Sequence, residues 1–117
     1  MESQSEVIIS SVVLAKEEIE RALNKSRLAI LPPLDAKQSL NLVKDLSVTP
    51  KTIILDPWYN KGFGGIRPDY HEFILELLSI SATIADHVFL WGFPEIIAYF
   101  VDKLPTTLTL VAWLTWY

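Results

Sequence analysis

Residues 53–60 read Ile53-Ile54-Leu55-Asp56-Pro57-Trp58-Tyr59-Asn60: an apolar run, then a carboxylate, a proline, two aromatic rings and an amide. The run from Lys51 to Leu55 suits a buried parallel strand. Ligands of parallel α/β sheets sit beyond the carboxyl ends of strands, so Asp56 stands where such folds do their chemistry. An Asp-Pro pair by itself needs no more than strand termination, with the Asp56 carboxylate accepting from loop amides. The strand before it and Tyr59-Asn60 after it favour a site. Other chemistries lack their residues. With no cysteine, disulfides, thiolate nucleophiles and Cys-based zinc sites are excluded. His71 and His87 have no ligand spacing, so no metal site is expected. Ser10-Ser11, Ser79 and Ser81 have no base at a recognisable spacing, which leaves no case for a hydrolase.

Asp56-Pro57-Trp58-Tyr59-Asn60 resembles the catalytic motif of DNA amino-methyltransferases, usually Asp-Pro-Pro-Tyr and often followed by Asn. Those enzymes methylate adenine N6 or cytosine N4 with S-adenosylmethionine. Trp58 stands where the family has its second proline. The resemblance extends over residues 50–117, through a glycine loop at Lys61–Pro68, a next strand at Val88-Phe89-Leu90-Trp91-Gly92, and a later strand with a tryptophan at Val111-Ala112-Trp113-Leu114. Only the Asp-Pro-Trp-Tyr-Asn core of it is specific. It implies roles for each residue. An exocyclic amino nitrogen is a poor nucleophile because its lone pair is delocalised into the ring. Two acceptors on its two hydrogens favour a more tetrahedral nitrogen. Asp56 and the Pro57 carbonyl would be those acceptors, and the fixed φ of proline helps to aim the carbonyl. Tyr59 would stack on the base once it leaves the duplex, an interaction of roughly 1–3 kcal/mol.

Trp58 and Asn60 are then candidates for the target-base pocket, with packing of Trp58 under the loop an equal alternative. Lys61 and Arg67 are candidate phosphate contacts, or else solvated charges. The family's cofactor signature, aromatic-x-Gly-x-Gly after a strand, is absent; Phe63-Gly64-Gly65 follows the catalytic motif instead. The resemblance therefore places most of the S-adenosylmethionine site outside this chain. It implies DNA and a second polypeptide, or a missing C-terminal segment carrying the cofactor motif, as partners, in a heterodimeric restriction-modification setting. The alternative is a non-catalytic methyltransferase-like subunit that stabilises a partner or binds nucleic acid. An enzyme of this fold acting on RNA or a protein amide, and a generic α/β domain with an unrelated site, are further readings.

The elements around the motif can be read from periodicity. Val12, Ala15, Ile19, Ala22 and Leu23 fall at helical spacing, and the β-branched stretch Val7–Val13 reads as helical or extended. Ser3 and Glu6 have capping-box spacing. Arg27–Leu31 reads as a strand stopped by Pro32-Pro33. A helix is expected from Ala36 to Leu46 with Asp35 as cap. Asp69 and Glu72 have cap-and-N3 spacing before the stripe Tyr70, Phe73, Ile74, Leu77 and Leu78, continued by Ile80 and Ile84. Val88–Trp91 is a second strand. Pro94 opens a helix to about Lys103 with Ile96, Ile97, Phe100 and Val101 inward and Glu95 in its first turn. Leu108–Tyr117 reads as a third strand.

Strands alternating with helices imply an α/β fold with a mostly parallel sheet. The expectation is a partial Rossmann-like methyltransferase sheet with flanking helices, incomplete without a second segment or subunit. Residues 1–26 form an N-terminal helical segment and 27–117 the catalytic-motif part. The composition agrees. Of 117 residues 50% are apolar and 21% charged, with a mean hydropathy of +0.30, which leaves little to cover a surface. A β-prone, aromatic final stretch is an aggregation hazard unless covered, which points to a fragment or half of a split enzyme. The net charge of −4 and pI near 5.0 place the basic DNA surface elsewhere. No signal peptide is read at the N-terminus, and no apolar run approaches the ~20 residues of a membrane span, so a cytoplasmic location is expected.

Overall fold

The computed structural model describes residues 4–25, 28–58, 60–61 and 65–115, with the side chains of 4, 5 and 7–9 left aside. The chain forms two compact units, Met1–Val48 and Thr49–Tyr117. The expected boundary after residue 26 falls inside the first of them.

In the first unit α1 spans Gln4–Asn24. The β-branched stretch Val7–Val13 is therefore helical. Val and Ile lower helix propensity only slightly. Glu6 in the first turn and Arg21 in the last complement the helix dipole. Ala15 and Ile19 are buried, one turn apart on a single face. Ser3 of the expected capping box lies outside the described residues. Helix α2 spans Ala36–Asp45, and Asp35 caps it by accepting from the Lys37 amide at 2.9 Å. Its end is a Schellman turn. The Val48 amide reaches the Val43 carbonyl, the Ser47 amide reaches that of Lys44, and Ser47 takes the left-handed φ of 57°.

The strand expected at Arg27–Leu31 is not formed. Residues 28–31 are irregular, with Leu28 and Ile30 exposed; Arg27 lies outside the described residues. A short β-prone run becomes a strand only where an edge is available to pair with it.

The second unit is a β–α–β segment followed by a helix. Strands β1 (Thr52–Leu55) and β2 (His87–Leu90) run parallel, with Thr52 opposite His87 and Leu55 opposite Leu90. The Lys51 carbonyl accepts from His87 N at one end, and Trp91 N donates to the Leu55 carbonyl at the other. Between them α3 spans Tyr70–Ile84 and buries Tyr70, Phe73, Ile74, Leu77, Leu78 and Ser81. It packs on β2.

The apolar runs predict buried strands. Instead exposure alternates along each. Ile54 and its register partner Phe89 are 65% and 50% exposed. The strand period of two puts them on one face of the sheet, and that face lies open while α3 packs on the sheet.

Helix α4 spans Pro94–Phe100, shorter than the expected reach to Lys103, and Phe100 is its buried residue. It meets the start of α3 through rings: His71 stacks on Tyr99 at 3.7 Å, and Phe100 stands edge-on to His71. The third strand is a further correction. Residues 108–115 are irregular and pair with neither strand; Trp116 and Tyr117 lie outside the described residues. Leu110, Val111, Trp113 and Leu114 are exposed. Their β-propensity expresses a fit to a neighbouring strand and face, and residues 108–115 pair with neither free edge of the two-stranded sheet. The chain is thus α/β with a two-stranded parallel sheet. No helix among the described residues is long and apolar enough to cross a membrane.

Candidate active site at the carboxyl end of strand β1

Strand β1 delivers the chain to Asp56 at the carboxyl edge of the sheet. The Asp56 side chain is exposed, and Pro57 and Trp58 are half-buried.

Trp58 packs under the loop that follows. Its ring stands edge-on to Tyr70 at 5.3 Å and tilted against Phe73 at 6.2 Å. Its indole Nε1 donates to the Gly65 carbonyl at 3.3 Å. Its own carbonyl accepts from the Tyr70 hydroxyl at 2.8 Å. Ring, indole nitrogen and backbone are therefore all held by neighbours within the unit.

Asn60 is committed in the same way. It adopts a left-handed φ of 59°, which asparagine tolerates better than most residues. Its Oδ1 accepts from the Arg67 amide at 2.6 Å, and its Nδ2 donates to the Arg67 carbonyl at 3.4 Å. One amide side chain thus holds both backbone groups of Arg67 and closes the base of the loop from 60 to 67.

The two candidate phosphate contacts also have partners. The Arg67 guanidinium lies 3.8 Å over the Phe73 ring and grips Asp69 through bonds of 2.6 and 3.2 Å. A phosphate would have to compete with that carboxylate. Asp69 does stand at the N-cap position of α3 but makes no side-chain capping bond; a bidentate bond to a guanidinium is the stronger use of the carboxylate. Lys61 is exposed, with Nζ 4.5 Å from the centre of the Phe93 ring. That contact links the loop after β1 to the loop after β2. Tyr59, with Gly62, Phe63 and Gly64, lies outside the described residues.

Tyr70 and Phe73 were legible in the sequence only as members of an apolar stripe. Yet Tyr70 is 4% exposed, and a buried phenol needs a partner for its hydroxyl. That requirement was the available signal that it reaches beyond its own helix. Burial also raises the Tyr70 pKa above its ordinary value, so the hydroxyl stays protonated as a donor.

A cleft in this unit, between Thr49–Lys51 and Ala82–Asp86, lies at the opposite end of β1. A second cleft, lined by Ile19, Ala22, Leu23, Ala29, Val43 and Val48, belongs to the first unit. What the arrangement does offer is an exposed carboxylate on a turn with a braced base, followed by a closed loop. No family model, curated protein or solved structure matches the chain.

Proposed function

We propose that this chain supplies the target-base side of an S-adenosylmethionine-dependent methyltransferase acting on an exocyclic amino group of a DNA base, adenine N6 ahead of cytosine N4. One observation carries the reading. The Asp56 carboxylate is exposed at the carboxyl end of a parallel strand, while the polar groups of Trp58 and Asn60 are held by the loop. In this reading Asp56 and the Pro57 carbonyl each accept one hydrogen of the amino group and localise its lone pair. Trp58 and Asn60 shape the loop, and Tyr59 is the stacking ring. The methyl donor is held by a second polypeptide or a further segment, which also carries the basic surface for DNA.

Transfer of a labelled methyl group to duplex DNA by the native assembly tests this. Asp56→Ala is expected to lower the rate by a factor of about 10² or more, in the range seen for loss of one preorganised electrostatic group. An unchanged rate in that variant refutes the reading. The second reading is a non-catalytic subunit that stabilises a partner. The open sheet face with Ile54 and Phe89 exposed favours it, since parallel sheets are ordinarily covered on both faces. It predicts that Asp56→Ala leaves transfer unaltered, while charges at Ile54 and Phe89 break the assembly.

A further inference from the structure

We infer that Tyr70 is a positioning residue for the Asp56-Pro57 acceptor pair, acting from the first turn of α3 through the Trp58 carbonyl. The inference rests on the methyl-transfer reading above and assigns a role within it to a residue outside the motif. The two acceptors that face an amino group must be aimed, and one of them is a backbone carbonyl. In Pro57 the ring fixes φ, and its remaining freedom is ψ. That torsion sets the direction of the Pro57 carbonyl relative to Trp58. Whatever holds Trp58 therefore aims the carbonyl.

Trp58 is held by Tyr70 twice. The phenol hydroxyl donates to the Trp58 carbonyl at 2.8 Å, and the phenol ring stands edge-on to the indole at 5.3 Å and 80°. Tyr70 is itself immobilised. It is 4% exposed, and its amide donates to the Arg67 carbonyl at 3.2 Å. Arg67 is in turn gripped by Asn60. The turn at the end of β1 is thereby fastened to the start of the helix that packs on the sheet.

Tyr70→Phe separates the two contacts, because it keeps the ring and deletes the hydroxyl. The misaimed carbonyl should be felt in the transition state more than in substrate binding. A displacement of about 1 Å costs on the order of 10² in rate, and partial loss of one brace is expected to cost about 10-fold in kcat. KM for DNA is expected to change less than about 2-fold, and methyl-donor affinity to stay the same. Tyr70→Leu, which removes both contacts, should be slower again. Rates are compared below the unfolding transition of each variant, with Asp56→Ala measured beside them. Loss of transfer in Asp56→Ala together with wild-type kcat in Tyr70→Phe overturns the role of Tyr70 and leaves the site standing. A rise in KM at unchanged kcat also overturns it, since that marks a binding contact. Unchanged transfer in both Asp56→Ala and Tyr70→Phe overturns the site and the inference together.

Discussion

Replacing Asn60 by alanine removes two kinds of support at once, and glycine and aspartate can separate them. The first is the bond from the Arg67 amide to Oδ1, at 2.6 Å and half-buried. A net hydrogen bond contributes about 1 kcal/mol, and at a half-buried amide water can take the place of the lost acceptor. The second bond, at 3.4 Å, is close to the geometric limit and adds little. The second support is conformational. At φ 59° alanine pays about 1–2 kcal/mol for its Cβ, whereas glycine pays nothing for φ. Asn60→Ala should therefore weaken loop closure by about 2–3 kcal/mol, and Asn60→Gly by about 1 kcal/mol less. Asn60→Asp keeps an acceptor for the Arg67 amide and tolerates the left-handed φ, so it should be mildest.

Native-state exchange of the Arg67 amide reports this closure directly, because loop opening need not unfold the rest of the unit. Two kcal/mol corresponds to about a 30-fold loss of protection, at about 1.4 kcal/mol per tenfold. The expected order of protection is Asn, Asp, Gly, Ala. An alanine variant as protected as wild type would refute the closure. A glycine variant no better than alanine would refute the conformational half of the reasoning.

Two further outcomes follow from buried groups in α3. The Ser81 hydroxyl is fully buried with no hydrogen-bond partner among the described residues, so Ser81→Ala should raise stability by about 1 kcal/mol. A lower urea midpoint at unchanged m-value would contradict that. Tyr70 has its pKa raised by burial. The folded state holds this proton more tightly than the unfolded state. Its contribution to stability is then fully present below the ordinary phenol value of about 10 and is lost as pH rises through the folded value. Urea midpoints between about pH 9 and 11 should fall less steeply in Tyr70→Phe than in wild type, and parallel slopes would remove Tyr70 as the source.

The elements that rest on local rules were readable residue by residue. Asp35 caps α2 as its type and place suggested. The stripe from Tyr70 to Leu78 is the buried face of α3, and Pro94 sits in the first turn of α4. Strands β1 and β2 lie within a residue of where their apolar runs predict. Strands that need a partner from afar were not readable. Residues 28–31 and 108–115 have strand composition but pair with no strand. A strand is defined by its neighbour, and no local pattern carries the neighbour's address.

The site divides along the same line. Sequence alone determined that an apolar strand ends in Asp56-Pro57 and that an aromatic, glycine-bearing loop follows, because these depend on residue type and order. It left open whether Trp58 faces a ligand or packs under the loop, and it offered Asn60 as part of a target-base pocket. Tertiary structure decided that: the indole lies against Tyr70 and Phe73, and the amide is taken by Arg67. It also decided that Asp69 serves Arg67 rather than the helix end. These outcomes turn on groups brought together across the loop and the start of α3, where a side chain's partner is set by distance in space and by competition among acceptors, neither of which residue spacing records.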